Sequence, residues 1–287
     1  MLAWLVTNKY YVSDSFLNIV NSFIEAAKKL NIKLVVQNNV DLRSLLFKRN
    51  YEKPNFVIFW DKDVKLASMI ENEGIRVFNS SESIRICDDK SLTYLKLCNS
   101  GINQPKTIIS PLLYFHSILE NEDFFDFAIS ELKFPLVFKE CFGSFGKQVF
   151  LIKSKEELIA TIKSVNDRPF ILQEFIQSSF GKDLRVYVVG DKIVAAMKRF
   201  NDTGDFRANI EAGSKGEPYT LNDKQTEMAL TVAKTLKLDY AGIDLLFGNN
   251  DEPIFCEANS NAYFNAINRV NNKNIENYIL EYAINHI

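Results

Sequence analysis

The sequence predicts a parallel α/β domain followed by a larger antiparallel α+β unit, and three observations predict it. Short apolar runs alternate with helical periodicity through the first 80 residues. From about residue 134 the apolar runs are joined by glycine turns and hairpins instead. Hydrophobic residues make up 47% of the 287, which is ample for more than one buried core.

Taken in order, LAWLVT (2–7) reads as a strand. Phe16, Ile19, Val20, Phe23, Ile24 and Ala27 then recur at helical spacing, with Ser13 or Asp14 as N-cap. The compact runs at 33–37, 56–60 and 75–79 suit buried parallel strands, with a short helix at 63–73 between the last two. One helix is expected from Ser81 to about Gly101, where glycine can stop it. Residues 102–133 carry little punctuation. The stretch 134–152 is a strand, a glycine turn and a strand, and Ser154 with Glu157 opens a helix over 154–165. A strand at 168–176 precedes a hairpin at 183–200 turning on Gly190-Asp191. A helix capped by Asn222 runs over 222–238, a second hairpin over 241–261, and a last helix begins near Asn274.

Composition excludes several classes of function. With 34 Lys+Arg against 36 Asp+Glu the net charge is −2, which argues against a protein built to coat nucleic acid. No apolar run reaches the ~18–20 residues of a membrane span, and MLAWLVTNKYY lacks the pattern of a signal peptide. A cytoplasmic location is therefore expected, with Cys87, Cys98, Cys141 and Cys256 as reduced, mostly buried thiols. His116 and His286 are the only histidines, which excludes His-rich zinc sites and argues against a His-dependent nucleophile. Chemistry here must run on carboxylates, amides, Lys, Arg and backbone.

Three constellations could carry it. With a four-residue turn at 249–252, the second hairpin sets Asp244 opposite Glu257, and Asn259 lies on the same face. Opposed carboxylates flanked by apolar residues call for a cation, and three hard oxygen ligands suit Mg²⁺. A solvated hairpin face with lysine partners fits the same pattern. The second is Lys139 followed by the turn Gly143-Ser144-Phe145-Gly146, where a backbone free to approach a ligand could aim N–H groups at phosphate; such a loop also serves as a plain turn. The third is the hairpin at 183–199. Its two-residue turn pairs Asp183 with Lys198 and Arg185 with Ala196, placing Asp183, Arg185, Tyr187 and Lys198 on one face. A cross-strand ion pair is the alternative there. Arg207, in the non-periodic stretch 201–218, could reach a phosphate or be simply exposed.

In order and spacing these pieces resemble the ATP-grasp superfamily, and within it the RimK-type carboxylate–amine ligases. The resemblance rests on Asp89-Lys90, Lys139 with GSFG, QEFI (173–176), DLRVYVVGDKIVAAMKR (183–199), FRAN (206–209), and Asp244 with Glu257-Ala-Asn259. It implies an α/β domain (1–83) before a two-lobed grasp, whose central lobe is 84–172 and whose C-terminal lobe is 173–287. It also implies ATP and Mg²⁺ or Mn²⁺, with two ions bound. By motif, Lys90 and Lys139 would contact phosphates under the 143–146 loop. Gln173, Glu174, Phe175 and Ile176 would form the hinge that reads adenine. Asp183 would hold the ribose with Lys198 nearby, and Arg207 and Asn209 would lie on the phosphate side. Asp244, Glu257 and Asn259 would bind the ions, Glu257 bridging both. Two departures stand out: no proline follows Glu257, and Lys147-Gln148 stand where a further small residue is common.

The activity so implied is ATP-dependent ligation of a carboxylate, with an amino acid as substrate, to an amine on a small molecule, peptide or protein. It would proceed through an acyl phosphate, with Arg185 and Arg207 as catalytic residues. Neither nucleic acid nor membrane is an expected partner, and a homo-oligomer is compatible with the sequence. A non-catalytic nucleotide-binding protein of the same fold, or a ligase of the D-alanine–D-alanine or glutathione-synthetase type, are the alternatives.

Overall fold

The computed structural model describes residues 1–208 and 214–287. Strands β1 (Leu2–Thr7), β2 (Lys33–Asn38), β3 (Phe56–Phe59) and β4 (Arg76–Phe78) alternate with helices α1 (Asp14–Lys29), α2 (Asp41–Lys48) and α3 (Val64–Asn72). The strands form a parallel sheet in the order β2-β1-β3-β4. β1 and β3 are buried throughout because both faces of the sheet are covered. The Ser13 hydroxyl accepts the Phe16 N–H at 3.2 Å and so fixes where α1 begins.

The single helix expected from Ser81 is two, α4 (Ser81–Asp88) and α5 (Lys90–Leu97). Asp89 is extended (φ −100°, ψ 108°), and its carboxylate accepts the N–H groups of Ser91 and Leu92 at 2.9 and 3.3 Å. An aspartate that can cap competes with helix continuation, and here the cap wins. The Lys90 N–H is then free to reach the Cys141 carbonyl at 3.1 Å.

Next come β5 (Thr107–Ile109), α6 (Glu122–Leu132), β6 (Leu136–Glu140), β7 (Val149–Ile152), α7 (Lys155–Val165) and β8 (Phe170–Glu174). Their strands form an antiparallel sheet ordered β5-β8-β6-β7 that keeps its own core with α6 and α7. β5 and α6 arise in the stretch where the sequence offered no punctuation.

The third sheet, β11-β10-β9-β12-β13, comprises β9 (Lys182–Val189), β10 (Lys192–Phe200), β11 (Lys215–Pro218), β12 (Tyr240–Phe247) and β13 (Pro253–Asn259). Helix α8 (Asp223–Thr235), opened by an Asn222–Gln225 capping box, covers one face. Ile86, Cys87 and Leu97 of α4–α5 join that core. The other face shares a core with the parallel sheet, α1, α9 (Asn265–Asn271) and α10 (Ile275–Asn285). Asn79 fastens this seam, donating to the carbonyls of Tyr240 and Ser260 at 2.9 and 2.7 Å and accepting the Asp239 N–H at 2.6 Å.

Both hairpins of this sheet carry a bulge, with opposite consequences for the expected register. In β12–β13 the pairing near the turn is one residue off expectation, and a bulge at Cys256 restores it, so Asp244 does face Glu257. In β9–β10 the turn pairs as expected, but a bulge near Val194 shifts everything beyond it. Asp183 therefore pairs with Arg199 and Arg185 with Met197; the expected Asp183–Lys198 and Arg185–Ala196 pairs do not form. A one-residue slip exchanges the faces of a strand. Among the described residues no helix is long and apolar enough to cross a membrane.

Candidate functional site

A cavity of about 550 Å³ opens where the parallel sheet, the 143–146 loop and the third sheet meet. Its floor is the β9–β12–β13 face bearing Arg185, Asp244, Glu257 and Asn259. Asp244 is only 4% exposed. Arg185 grips it through Nε and through Nη2 at 2.8 Å, while Arg199 reaches it at 3.1 Å. Arg199 also holds Asp183 by two hydrogen bonds of 2.6 Å. Burial opposes ionisation of Asp244, but the two guanidinium groups more than offset it and hold the carboxyl below its ordinary value. Asp183 has one arginine and a neighbouring carboxylate, and its burial pushes its proton affinity up. Arg185 fits because residue 242 is glycine: a Cβ there would lie 2.4 Å from the Ala262 Cβ and 3.1 Å from Arg185 Cδ.

The glycine loop is the cavity's roof. Phe145 takes a left-handed φ of 61°, and its ring meets Tyr263 edge-on at 5.7 Å. Lys62 Nζ donates to Ser144 Oγ at 3.1 Å from the parallel-sheet side, and Arg207 Nη1 donates to the Gly146 carbonyl at 2.8 Å from the other. Arg207 also pairs with Asp205 at 2.7 Å.

Beside the floor, a narrow cleft of about 20 Å³ separates the central and third sheets. Lys90, Lys139, Gln173 and Glu257 line it together with Phe255 and Cys256. Lys90 Nζ lies 3.7 Å from Glu257, and Lys139 Nζ lies 3.9 Å from Cys256 Sγ. Burial pushes the Cys256 thiol up to about 11, so it stays protonated beside these charges. All four cysteines are free thiols; Cys87 and Cys141 are buried and Cys98 is exposed.

The structure thus gathers Ser144, Phe145, Gly146, Arg185, Asp244, Glu257 and Asn259 around one cavity, and Lys90, Lys139 and Gln173 around the adjoining cleft. Gly143, in the same loop, has φ 156°, and a Cβ there would strike the Gln148 side chain. Glu174 is tied to the backbone of Lys106 (N–H to Oε1, 2.8 Å), Phe175 packs edge-on against Phe180 and Phe206, and Ile176 leads into the third sheet. Lys198 does not join Asp183: the β10 bulge turns it away to pair with Glu217 at 3.2 Å. Asn209 lies outside the described residues. Arg199 is the residue that sequence reasoning missed. The adjacent Lys198-Arg199 was a signal for a cation on this strand, but the tight-turn register assigned it to the wrong neighbour.

A RimK-like ATP-grasp domain model matches residues 87–283, more than half of the chain. The chain belongs to the RimK-like ATP-grasp family. A Mycoplasma pneumoniae relative, the uncharacterized MG012 homologue, is 36% identical over 259 residues, covering 86% of this chain and 87% of its own. A Legionella pneumophila relative carries the name probable alpha-L-glutamate ligase. It is 33% identical over 215 residues, which are 74% of this chain and 68% of its own. The fold is that of the ATP-grasp ligases. The crystal structure of a Bacillus anthracis D-alanine–D-alanine ligase superposes with a TM-score of 0.76 at 19% identity, over 99% of this chain and 96% of that one.

Proposed function

We propose that this RimK-like ATP-grasp protein is an ATP-dependent carboxylate–amine ligase that forms an amide bond through an acyl phosphate. The observation that carries this reading is the pairing of Asp244 with Glu257 on the floor of one cavity roofed by the glycine loop. The relative named as a probable alpha-L-glutamate ligase supports an amino-acid substrate and makes L-glutamate the first to test. The three-part division at 1–83, 84–172 and 173–287 is part of the proposal, supported by the parallel sheet within the first stretch and the third sheet within the last, while β8 crosses the second boundary.

The donor set fits a hard divalent ion. Two carboxylates and the Asn259 amide line one wall, while no three His, Cys, Asp or Glu side chains gather among the described residues. Asp244, Glu257 and Asn259 would hold Mg²⁺, which takes oxygen ligands of this kind. When bound, Mg²⁺ supplies the positive charge that neutralises the phosphates. In the reaction a carboxylate oxygen of the substrate attacks the γ-phosphorus of ATP and ADP leaves. The amine then attacks the acyl carbon, and phosphate departs with the electron pair of the broken C–O bond. Lys90 and Lys139 would bind phosphate oxygens, and Arg207 would hold the loop over them. Arg185 uses Nε and Nη2 on Asp244, so among the described residues Nη1 is left to donate to the carboxylate substrate. Gln173, Glu174, Phe175 and Ile176 would border the adenine, with Asp183 the candidate for the ribose. The adjoining cleft is too small for a purine, so entry of the base requires the lobes to part.

Glu257→Gln tests this. ADP release with Mg²⁺, L-glutamate and pooled carboxylates is expected to fall at least about 100-fold, with nucleotide binding retained. Wild-type-like turnover of that variant would remove the metal assignment. Nucleotide binding by the unaltered protein, without ADP release for any carboxylate, would favour a non-catalytic binder.

A further inference from the structure

The wall of the cavity opposite the Asp244–Glu257 floor belongs to the parallel sheet, and its construction is specific. In the order β2-β1-β3-β4, the chain leaves β1 toward one side and returns to β3 on the other. The carboxyl ends of β1 and β3 therefore flank the switch point, where open α/β sheets leave a crevice for ligands. Asn8 follows β1 directly and Asp61 follows β3; the Asn8 amide nitrogen bridges the crevice, 3.2 Å from each Asp61 oxygen. Both residues line the cavity.

Asp61 is 7% exposed and has no cation within ion-pair distance among the described residues. The charges around it are engaged elsewhere. Arg43 pairs with Asp63 at 2.6 Å, and Lys62 pairs with Asp88 at 2.6 Å. The remaining support for Asp61 is the backbone N–H of Lys62 at 2.7 Å on Oδ1. Buried carboxylates are normally paired, so one left unpaired on a cavity wall is built for a cation that arrives with the ligand. A metal ion would want several oxygen donors, whereas Asp61 stands alone among N–H donors. An ammonium group needs only one further acceptor site, and Oδ2, which takes the Asn8 contact alone, keeps a lone pair for it.

We propose that Asp61, held by Asn8, receives the ammonium group of the amine substrate and takes its proton. This rests on the ligase reading and supplies the proton acceptor that reading lacks. One N–H proton passes to the Asp61 carboxylate, and the freed nitrogen lone pair forms the C–N bond. The C–O bond to phosphate breaks, phosphate carries away its electron pair, and the second N–H proton leaves the nitrogen for a phosphate oxygen, giving hydrogen phosphate and a neutral amide. The proton affinity of Asp61, raised by burial, suits it to this task.

Hydroxylamine separates the steps, because it is uncharged at neutral pH and traps an acyl phosphate without needing a base. Asp61→Asn is compared with the unaltered protein in ATP, Mg²⁺ and pooled N-acetylated amino acids. The nucleophile is either L-glutamate or hydroxylamine, and products are read by mass. Amide formation by D61N is expected to fall at least about 100-fold while hydroxamate formation stays within about threefold. Asn8→Ala is expected to give the same split at about tenfold. Equal loss of amide and hydroxamate, or amide formation at the unaltered rate, would overturn the proposal. If the unaltered protein forms neither product, the ligase reading itself fails. The retained hydroxamate shows that D61N is folded and that its phosphate machinery is intact.

Discussion

Arg199 reaches both Asp183 and Asp244 beneath the cavity floor, and with Arg185 it balances two buried carboxylates with two guanidinium groups. Removing one partner from such a set leaves a buried charge unpaired. Arg199→Met is expected to cost about 3–5 kcal/mol in urea unfolding, a loss that a solvated surface pair would not show. The charged floor was legible in the sequence as Asp183, Arg185 and Asp244, because alternation in a strand puts every second residue on one face. Arg199 was not legible, because the bulge near Val194 that brings it inward is not signalled by the turn.

At the scale of elements, Asp89 decides where Lys90 points. It ends α4 and caps α5, so Lys90 begins a new helix beside Glu257 instead of continuing an old one. Asp89→Ala is expected to cost about 1 kcal/mol, with faster amide exchange at Ser91 and Leu92 than elsewhere in α5. Apolar periodicity runs through both helices, which is why the sequence read one. The cap was visible as a residue type but not as a choice, since an aspartate inside a periodic stretch is compatible with either outcome. The 143–146 loop shows the converse. Its glycines announced a turn between strands, but its grip by Lys62 and Arg207 joins residues far apart in the chain.

Across the whole molecule, the parallel sheet and the third sheet share one core, whereas the central sheet keeps its own. Asp239 lies on the shared seam, where Arg76 of β4 pairs with its Oδ1 at 2.6 Å and its Oδ2 is buried without a partner. Burial outweighs Arg76 and pushes the carboxyl up to about 6. A carboxyl raised above its unfolded value contributes stability below about pH 4, and loses it as pH rises through about 6. Asp239→Asn cannot ionise. Its stability relative to the unaltered protein is therefore expected to be near zero at pH 4 and to rise by about 3 kcal/mol toward pH 7. Melting of both proteins across that range checks the sign; a pH-independent difference would place Asp239 outside the linkage.

The sequence by itself determined the alternation of strands and helices and the change from parallel to antiparallel architecture. These follow from periodicity and turn chemistry, which act over a few residues. The tertiary structure alone decided the Arg199 grip, the break at Asp89 and the crevice between Asn8 and Asp61. The grip and the crevice join residues far apart in the chain, and the break at Asp89 is a choice that periodicity leaves open, so none of them leaves a periodic trace.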